Sequence, residues 1–290
     1  MRKLTVPGTC VDVEFLVMGI IQNNVYVISD GKGTFVVDPT ADAPAIVEAL
    51  GGRALDAIVL THHHADHMGA AAALREMTGA TVIASAVEAP LIRNPKKVGD
   101  SLFPAPESCE VDYEVSDGDI VKIGDMAWKV LLTPGHSLGS MCWYLVPQFG
   151  NHAQGAPVLV SGDTLFAGAT GRTDFEGGST RDMAASIKRL AFLPDETVVL
   201  PGHNEQTTIG AERRRVFARW GAEEEYRPGS ICPCQSCPRP CQRVKGTLLK
   251  RVRERVRGTL LMVRRAGTPI AFLFGFPEDE SRPSFEGEVK

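Results

Sequence analysis

Residues Thr61-His62-His63-His64-Ala65-Asp66-His67 place five candidate metal ligands in the six positions from His62 to His67. An apolar, strand-like stretch precedes them, Asp56-Ala57-Ile58-Val59-Leu60, and the small-residue segment Met68-Gly69-Ala70-Ala71-Ala72-Ala73 follows. A strand that ends in a ligand-rich turn and enters a helix can aim several side chains into one pocket. Imidazole and carboxylate together suit zinc, iron and manganese. An affinity tag is excluded, because the tract is internal and flanked by hydrophobic residues.

Three later residues extend the pattern. His136 follows Leu131-Leu132-Thr133-Pro134-Gly135, Asp163 follows Val158-Leu159-Val160-Ser161-Gly162, and His203 follows Val198-Val199-Leu200-Pro201-Gly202. Each ends an apolar run and each is preceded by glycine, which lets a chain turn sharply after a strand. Repetition of that arrangement puts ligands on loops along one rim of a sheet. Of the seven histidines, five fall in these motifs, and only His63 and His152 lie outside them. A single such histidine carries little weight, but this concentration is hard to reach by chance.

The set His62-x-His64-x-Asp66-His67 with His136, Asp163 and His203 resembles the metallo-β-lactamase fold superfamily over roughly residues 13 to 215. The resemblance implies an α/β (α+β) protein, a four-layer αββα sandwich, with metals at one edge between the sheets. Asp38, in Val36-Val37-Asp38-Pro39, matches the family's early strand-end aspartate, a structural or supporting group. Gly162-Asp163-Thr164-Leu165-Phe166, Gly171-Arg172-Thr173-Asp174-Phe175 and the segment from Pro201 to Arg213 are similar to the glyoxalase II group, most of all to short bacterial hydroxyacylglutathione hydrolase-like enzymes. Class B β-lactamases usually carry Cys where this chain has Asp163, which argues against antibiotic hydrolysis.

The resemblance also implies a division of labour. His62, His64 and His136 would hold one divalent metal ion, and Asp66, His67 and His203 a second. Asp163 would bridge them, since a carboxylate has two oxygens. Zinc is the expected metal, with iron or manganese as alternatives. The implied activity is thioester hydrolysis, on S-2-hydroxyacylglutathione or a related thiol ester, through a metal-bridging hydroxide. Asp66 would coordinate, and could also orient the nucleophile or accept its proton as a catalytic group. Arg172 occupies the place of a substrate-binding basic residue; an ion pair with Asp174 or Glu176 is the competing role. Persulfide dioxygenases resemble the same motifs and use one iron, here on His62, His136 and Asp163. A lactonase or a phosphodiesterase on the same scaffold is a further alternative.

The remaining signals concern elements and organisation. Residues 25–37 read as a hairpin turning at Asp30-Gly31-Lys32-Gly33, residues 43–50 and 180–193 as helices, and residues 110–130 as strands around Asp117-Gly118-Asp119. Residues 149–157 read as a hairpin tip with His152 on the surface. Asp12 and Glu14 interrupt the early apolar run a signal peptide needs, and no apolar run reaches membrane-helix length, so a cytoplasmic location is expected. Cys10, Cys109 and Cys142 read as reduced thiols.

The 290 residues divide into a catalytic domain, 1–219, and a Cys/Pro-rich linker with a basic extension, 220–290. Cys232, Cys234, Cys237 and Cys241 have the chemistry to hold zinc or an iron–sulfur cluster. Their spacing is tighter than paired zinc-ribbon halves, and a flexible linker is the reading preferred. Residues 239–265 hold ten Lys or Arg and one acid, Glu254. Leu249, Val252, Val256, Leu260 and Val263 predict a basic amphipathic helix there, able to touch a membrane surface, nucleic acid or an acidic partner or, more readily, the protein's own body. The acidic remainder of the chain argues against a nucleic-acid partner. A small-molecule thioester is the expected substrate.

Overall fold

The computed structural model describes residues 4–96, 103–145, 155–222 and 260–263. Alternating side-chain direction between two apolar cores explains why two sheets form and where they meet. In the strand Asn23–Ser29, Tyr26 and Ile28 face the opposite sheet while Val25 and Val27 face helices, and all seven residues are buried. A strand covered on both faces needs apolar residues on both.

The first sheet runs in chain order through β1 (Leu4–Thr5), β2 (Asp12–Met18), β3 (Asn23–Ser29), β4 (Thr34–Val37), β5 (Ala57–Val59), β6 (Thr81–Ser85) and β7 (Tyr113–Val115). It is antiparallel from β1 to β4 and parallel from β4 to β7. Its helices are α1 (Ala43–Ala49), α2 (Ala65–Met68), α3 (Ala71–Thr78) and α4 (Ala89–Arg93), which supply the crossovers that parallel strands require.

The second sheet comprises β8 (Ile120–Ile123), β9 (Met126–Leu132), β10 (Met141–Leu145), β11 (Val158–Gly162), β12 (Val198–Pro201), β13 (Thr207–Thr208) and β14 (Leu260–Val263). Its order is β13-β12-β11-β10-β9-β8-β14. On its outer face lie α5 (Thr180–Leu190) and α6 (Ile209–Glu212). Met183, Ile187 and Leu190 pack inward from α5, whose first turn is capped by Ser179 Oγ accepting from Asp182 N at 3.2 Å.

Between the sheets lies a core that includes Val13, Phe35, Val37, Ile83, Trp128, Trp143, Val160 and Leu200. Separate apolar layers seat the helices on each outer face, giving the αββα sandwich. Phe35 of the first sheet meets Trp128 of the second edge-on within this core, ring centroids 5.3 Å apart.

The strands expected around Asp117-Gly118-Asp119 form, β7 before the turn and β8 and β9 after it; the turn crosses between sheets, since β7 belongs to the first and β8, in a hairpin with β9, to the second. One expectation needs correction. Leu260 and Val263 were expected on a helical stripe, yet residues 260–263 form β14, parallel to β8. Four consecutive apolar residues suit a strand, and the outer edge of β8 offers unpaired backbone groups. The contact with the protein's own body is thus made by a strand. Cys232, Cys234, Cys237, Cys241, His152 and the basic residues of 239–259 lie outside the described residues, as does the tip joining β10 to β11.

Phe35→Ala should lower the unfolding free energy by about 3–5 kcal/mol, the usual cost of removing a buried ring. Urea denaturation followed by circular dichroism measures it, and a loss under about 1 kcal/mol would place Phe35 outside the core.

Candidate metal centre

The C-terminal ends of five strands open onto one edge of the sandwich. From the first sheet, β4 delivers Asp38, and β5 delivers the turn from Thr61 to His64 with Asp66 and His67 on α2. From the second, β9 leads to His136, β11 to Asp163 and β12 to His203. The rim is therefore shared by both sheets. Two glycines are needed because backbones and ligands crowd there. A Cβ on Gly162, which has φ +49°, would sit 2.6 Å from Thr61 Oγ1, and one on Gly202 would sit 2.5 Å from Asp163 Oδ1.

The seven residues singled out as ligands come together. His62, His64 and His136, all buried, form one group, and Asp66, His67 and His203 form another, with the ligand atoms of each group within 4.8 Å of one another. Asp163 faces both groups. Its Oδ2 is 3.4 Å from His136 Nε2 and 3.6 Å from His203 Nε2, and its Oδ1 is 3.3 Å from His67 Nε2. Within the first group His64 Nδ1 lies 2.9 Å from His136 Nε2.

Surrounding groups decide which ring nitrogens face inward. His67 Nδ1 donates to Asp38 Oδ2 at 2.9 Å and His136 Nδ1 donates to the Arg172 carbonyl at 2.8 Å, so each presents Nε2 to the centre. His62 Nδ1 lies 3.0 Å from Thr61 Oγ1, whose hydroxyl donates to Asp38 Oδ2 at 2.7 Å. Asp38 Oδ1 accepts from Thr61 N at 2.8 Å. One carboxylate thus orients a ligand in each group.

The donor set fits a cation. His62 Nε2, His64 Nε2 and Asp163 Oδ1 are buried with no hydrogen-bond partner, a costly arrangement that a cation relieves at any of these atoms it binds. Burial, reinforced by neighbouring imidazoles, pushes His64 down to about 3 and His62 well below the usual histidine range. Both are neutral rings, the form that binds metal. Burial works against the charged form of Asp163, but positive charge on the neighbouring His67 outweighs it and holds the Asp163 carboxyl down at about 2. Burial opposes ionisation of Asp66 too, yet His67 with bonds from His203, His67 and Asn23 keeps it far below the ordinary carboxylate range. His67 itself is driven down by burial and further up by Asp163, Asp66 and Asp38, ending well above its usual value. Three carboxylates around one ring make a negative field that either a proton or a divalent cation answers.

Two residues went unremarked in the sequence. Glu88, wholly buried, accepts from His63 N at 3.0 Å, Ser137 Oγ at 2.8 Å and Gly139 N at 2.7 Å, and pairs with His63 Nδ1. It ties the His62–His64 turn to the loop of His136, and so gives His63, a non-ligand, a role. The one trace in the sequence is a lone acid amid Ala86, Val87 and Ala89. Asn23, at the start of β3, directs Nδ2 to Asp66 Oδ2 at 3.0 Å, and nothing in its sequence context marks it. Arg172 forms both donor contacts to Asp174, at 2.9 and 2.8 Å, and lies over the Phe175 ring at 4.3 Å, with its side chain 66% exposed. Phe175 in turn stands edge-on to His64, 5.4 Å between centroids, which puts Arg172 at the mouth of the centre.

A buried His/Asp cluster at the open edge of an αββα sandwich has the donor set of a metal-binding site. The model for the metallo-beta-lactamase superfamily matches residues 18–203, and this chain belongs to that superfamily, a group of generally hydrolytic metalloenzymes. An uncharacterised protein of Aquifex aeolicus is 36% identical over 205 residues, covering 69% of this chain and 93% of that one. A hydroxyacylglutathione hydrolase of Pseudomonas entomophila is 37% identical over 186 residues, covering 62% of this chain and 61% of the hydrolase. Among solved structures, the B3 metallo-beta-lactamase BLEG-1 shares 33% identity at a TM-score of 0.62, covering 71% of this chain and 98% of that one. TTHA1623 in a di-iron-bound form shares 33% at 0.60, covering 69% and 97%. ETHE1 from Myxococcus xanthus shares 30% at 0.54, covering 70% and 82%.

Asp38→Asn and Glu88→Gln should each weaken metal binding by about 10–100-fold while leaving the fold intact, as expected for groups that orient ligands. Chelator competition measures the affinity and circular dichroism the fold. Unchanged affinity in both would mean that the ligands hold their geometry unaided.

Proposed function

We propose that this protein is a binuclear metal hydrolase acting on thioesters, S-2-hydroxyacylglutathione or a related thiol conjugate. The observation that carries the reading is the pair of ligand groups, His62/His64/His136 and Asp66/His67/His203, with Asp163 turned toward both. Each group would hold one divalent ion, zinc first, with iron or manganese compatible with the same donors. Such a pair of ions lowers the pKa of a shared water toward neutrality and polarises a thioester carbonyl.

The chain's own residues do the rest. Asp66 Oδ2, fixed by Asn23 Nδ2, lies 3.2 Å from His203 Nε2 and is placed to orient the attacking water and accept its proton. Asp38 and the Arg172 carbonyl hold His67 and His136 in the inward-facing form throughout turnover. Burial pushes the Cys109 and Cys142 thiols up to about 11, so neither is a ready nucleophile. The departing thiolate is a good leaving group and needs little acid assistance. The Arg172 guanidinium, exposed at the mouth, recognises a substrate carboxylate once Asp174 releases it.

The hydrolase of Pseudomonas entomophila supports this reading, but the chain spans about three-fifths of that relative's length. The thiol carrier is therefore inferred from the rim alone. In this reading residues 1–219 are the catalytic unit, residues 220–290 are an extension, and the enzyme works in a reducing cytoplasm. No helix among the described residues is long and apolar enough to cross a membrane.

A second reading is a one-iron persulfide dioxygenase using His62, His136 and Asp163. The 3.4 Å approach of His136 Nε2 to Asp163 Oδ2 favours it. Metal analysis with S-lactoylglutathione hydrolysis on one sample separates the two. About two ions per chain with turnover supports the hydrolase. A single iron, no hydrolysis and oxygen uptake with a persulfide would replace it.

His203→Ala should remove one ion per chain and lower kcat/KM by about 100-fold or more, as expected for loss of a metal. Arg172→Ala should raise KM about tenfold with little change in kcat, the signature of lost uniform binding. Full thioesterase activity in His203→Ala would reject the two-ion assignment.

A further inference from the structure

We propose that Leu138, backed by Val87, selects the acyl group, receiving a large apolar substituent, an aryl ring or an alkyl chain, on the acyl half of the thioester. This role rests on the thioesterase reading above and narrows its substrate class to 2-hydroxyacyl thioesters with a bulky apolar side chain.

Leu138 stands two residues beyond His136 and is 60% exposed among the described residues, and Val87 is 43% exposed. Exposed hydrophobics scattered singly need no explanation. These two are neighbours, however. A Cβ on Gly139 would sit 2.6 Å from Val87 Cβ, so Val87 lies against the backbone of the residue that follows Leu138. On the other side, a Cβ on Gly177 would sit 3.3 Å from Leu138 Cγ. Gly177 belongs to the turn closed by Gly178 N donating to Phe175 O at 2.8 Å. The Phe175 ring stands 5.4 Å from the ring of His64 and 6.1 Å from that of His136, between centroids. Phe175, Leu138 and Val87 thus mark an apolar shelf that starts at the first ligand group and runs outward.

The shelf is held rigidly. Gly139 N donates to Glu88 Oε1 at 2.7 Å, Ser85 Oγ donates to Gly139 O at 2.7 Å, and Ser137 N donates to Ser140 Oγ at 3.1 Å. Glu88, Ser85, Ser137 and Ser140 are all buried. The turn that carries Leu138 is therefore fixed from below while its side chain faces solvent, and glycine at 177 leaves that side chain uncovered.

Position assigns the shelf to the acyl half. In the thioesterase reading Arg172 takes a carboxylate of the thiol part, and its guanidinium lies over the Phe175 ring at 4.3 Å. Leu138 adjoins the chain beyond Phe175, at Gly177. The thiol and acyl parts leave the scissile bond in opposite directions. With the carboxylate at Arg172, the acyl substituent is the part left to lie along Leu138 and Val87. Neither side chain donates or accepts a hydrogen bond, so the shelf favours apolar area alone.

Hydrolysis of S-lactoyl-, S-2-hydroxyhexanoyl- and S-mandeloylglutathione by zinc-loaded full-length protein tests this, with thiol release as the readout and each kcat/KM divided by the hydroxide-catalysed rate of the same ester. Full burial of a CH2 is worth about fourfold and a half-open shelf about twofold, so hexanoyl and mandeloyl esters should exceed lactoyl by about tenfold. Leu138→Ser should cut that ratio to about twofold or less, while Leu138→Met keeps it. Metal content and thermal melts check each variant's fold; should Leu138→Ser melt early, Leu138→Gln, close to leucine in length, takes its place. A flat acyl series in an active wild type overturns the proposal and leaves the thioesterase reading standing, and so does a ratio that survives Leu138→Ser. Lactoyl esters of lengthening alkanethiols check the assignment to one half: if Leu138→Ser flattens that series and not the acyl series, the shelf serves the thiol part and the proposal falls. Hydrolysis of no thioester by wild type would remove the thioesterase reading itself, and this role with it.

Discussion

Asp38 accepts three hydrogen bonds in the interior, from Thr61 N, Thr61 Oγ1 and His67 Nδ1, and both ligand groups take their orientation from it. Its backbone sits at φ +49°, a conformation that costs a non-glycine residue on the order of 1–3 kcal/mol. Hydrogen bonds to a charged group contribute about 1.5–3 kcal/mol each, so three of them outweigh that strain. The geometry is therefore held by favourable contacts beneath the centre, and the inward-facing nitrogens are left for a cation. An apolar residue at this position would leave the His67 and His62 rings free to turn and would strand the Thr61 N–H in the interior.

The same logic extends from one carboxylate to the whole rim. Ligands arrive from two sheets, so the sheets must be locked at that edge. Tyr26 OH donates to Pro201 O at 2.8 Å, Met141 N donates to Thr61 O at 3.1 Å, and Asn24 bonds the His203 loop. Glu88 ties the first-group turn to the His136 loop. These bonds are buried or half-buried, where an unmade partner costs more than in water. A centre spanning two sheets thus acquires rigidity from backbone contacts that carry no metal-binding signature.

That division explains what could be read from the chain and what could not. That His62, His64, Asp66, His67, His136, Asp163 and His203 gather at one edge was legible because His62, His136, Asp163 and His203 follow apolar runs closely, and His64, Asp66 and His67 lie within the next turn and a half of chain after His62. The αββα layering was legible through the family resemblance and is visible in the split of β3 between two cores. Asn23 and Glu88 were not legible: each acts through residues distant in sequence, and an Asn or Glu in a mixed segment has many ordinary uses. Addition of β14 to the far edge depends on a contact between distant segments that local periodicity does not encode. The helical stripe through Leu260 and Val263 failed for that reason, since a free sheet edge decided their conformation.

Chemistry and specificity are separated in space as well. The ligands and Asp38 are buried or nearly so, and their arrangement constrains reaction type. Arg172 and Asp174 stand mostly exposed at the mouth, paired with each other and stacked over Phe175. An exposed ion pair of this kind is worth at most about 1 kcal/mol, so in the proposed reading a substrate carboxylate would displace Asp174 at small cost. Phe175 links the two regions, because it contacts Arg172 on one side and the His64 ring on the other. In the proposed reading, substitutions around Phe175 would change substrate choice without disturbing the buried network that positions the His/Asp cluster.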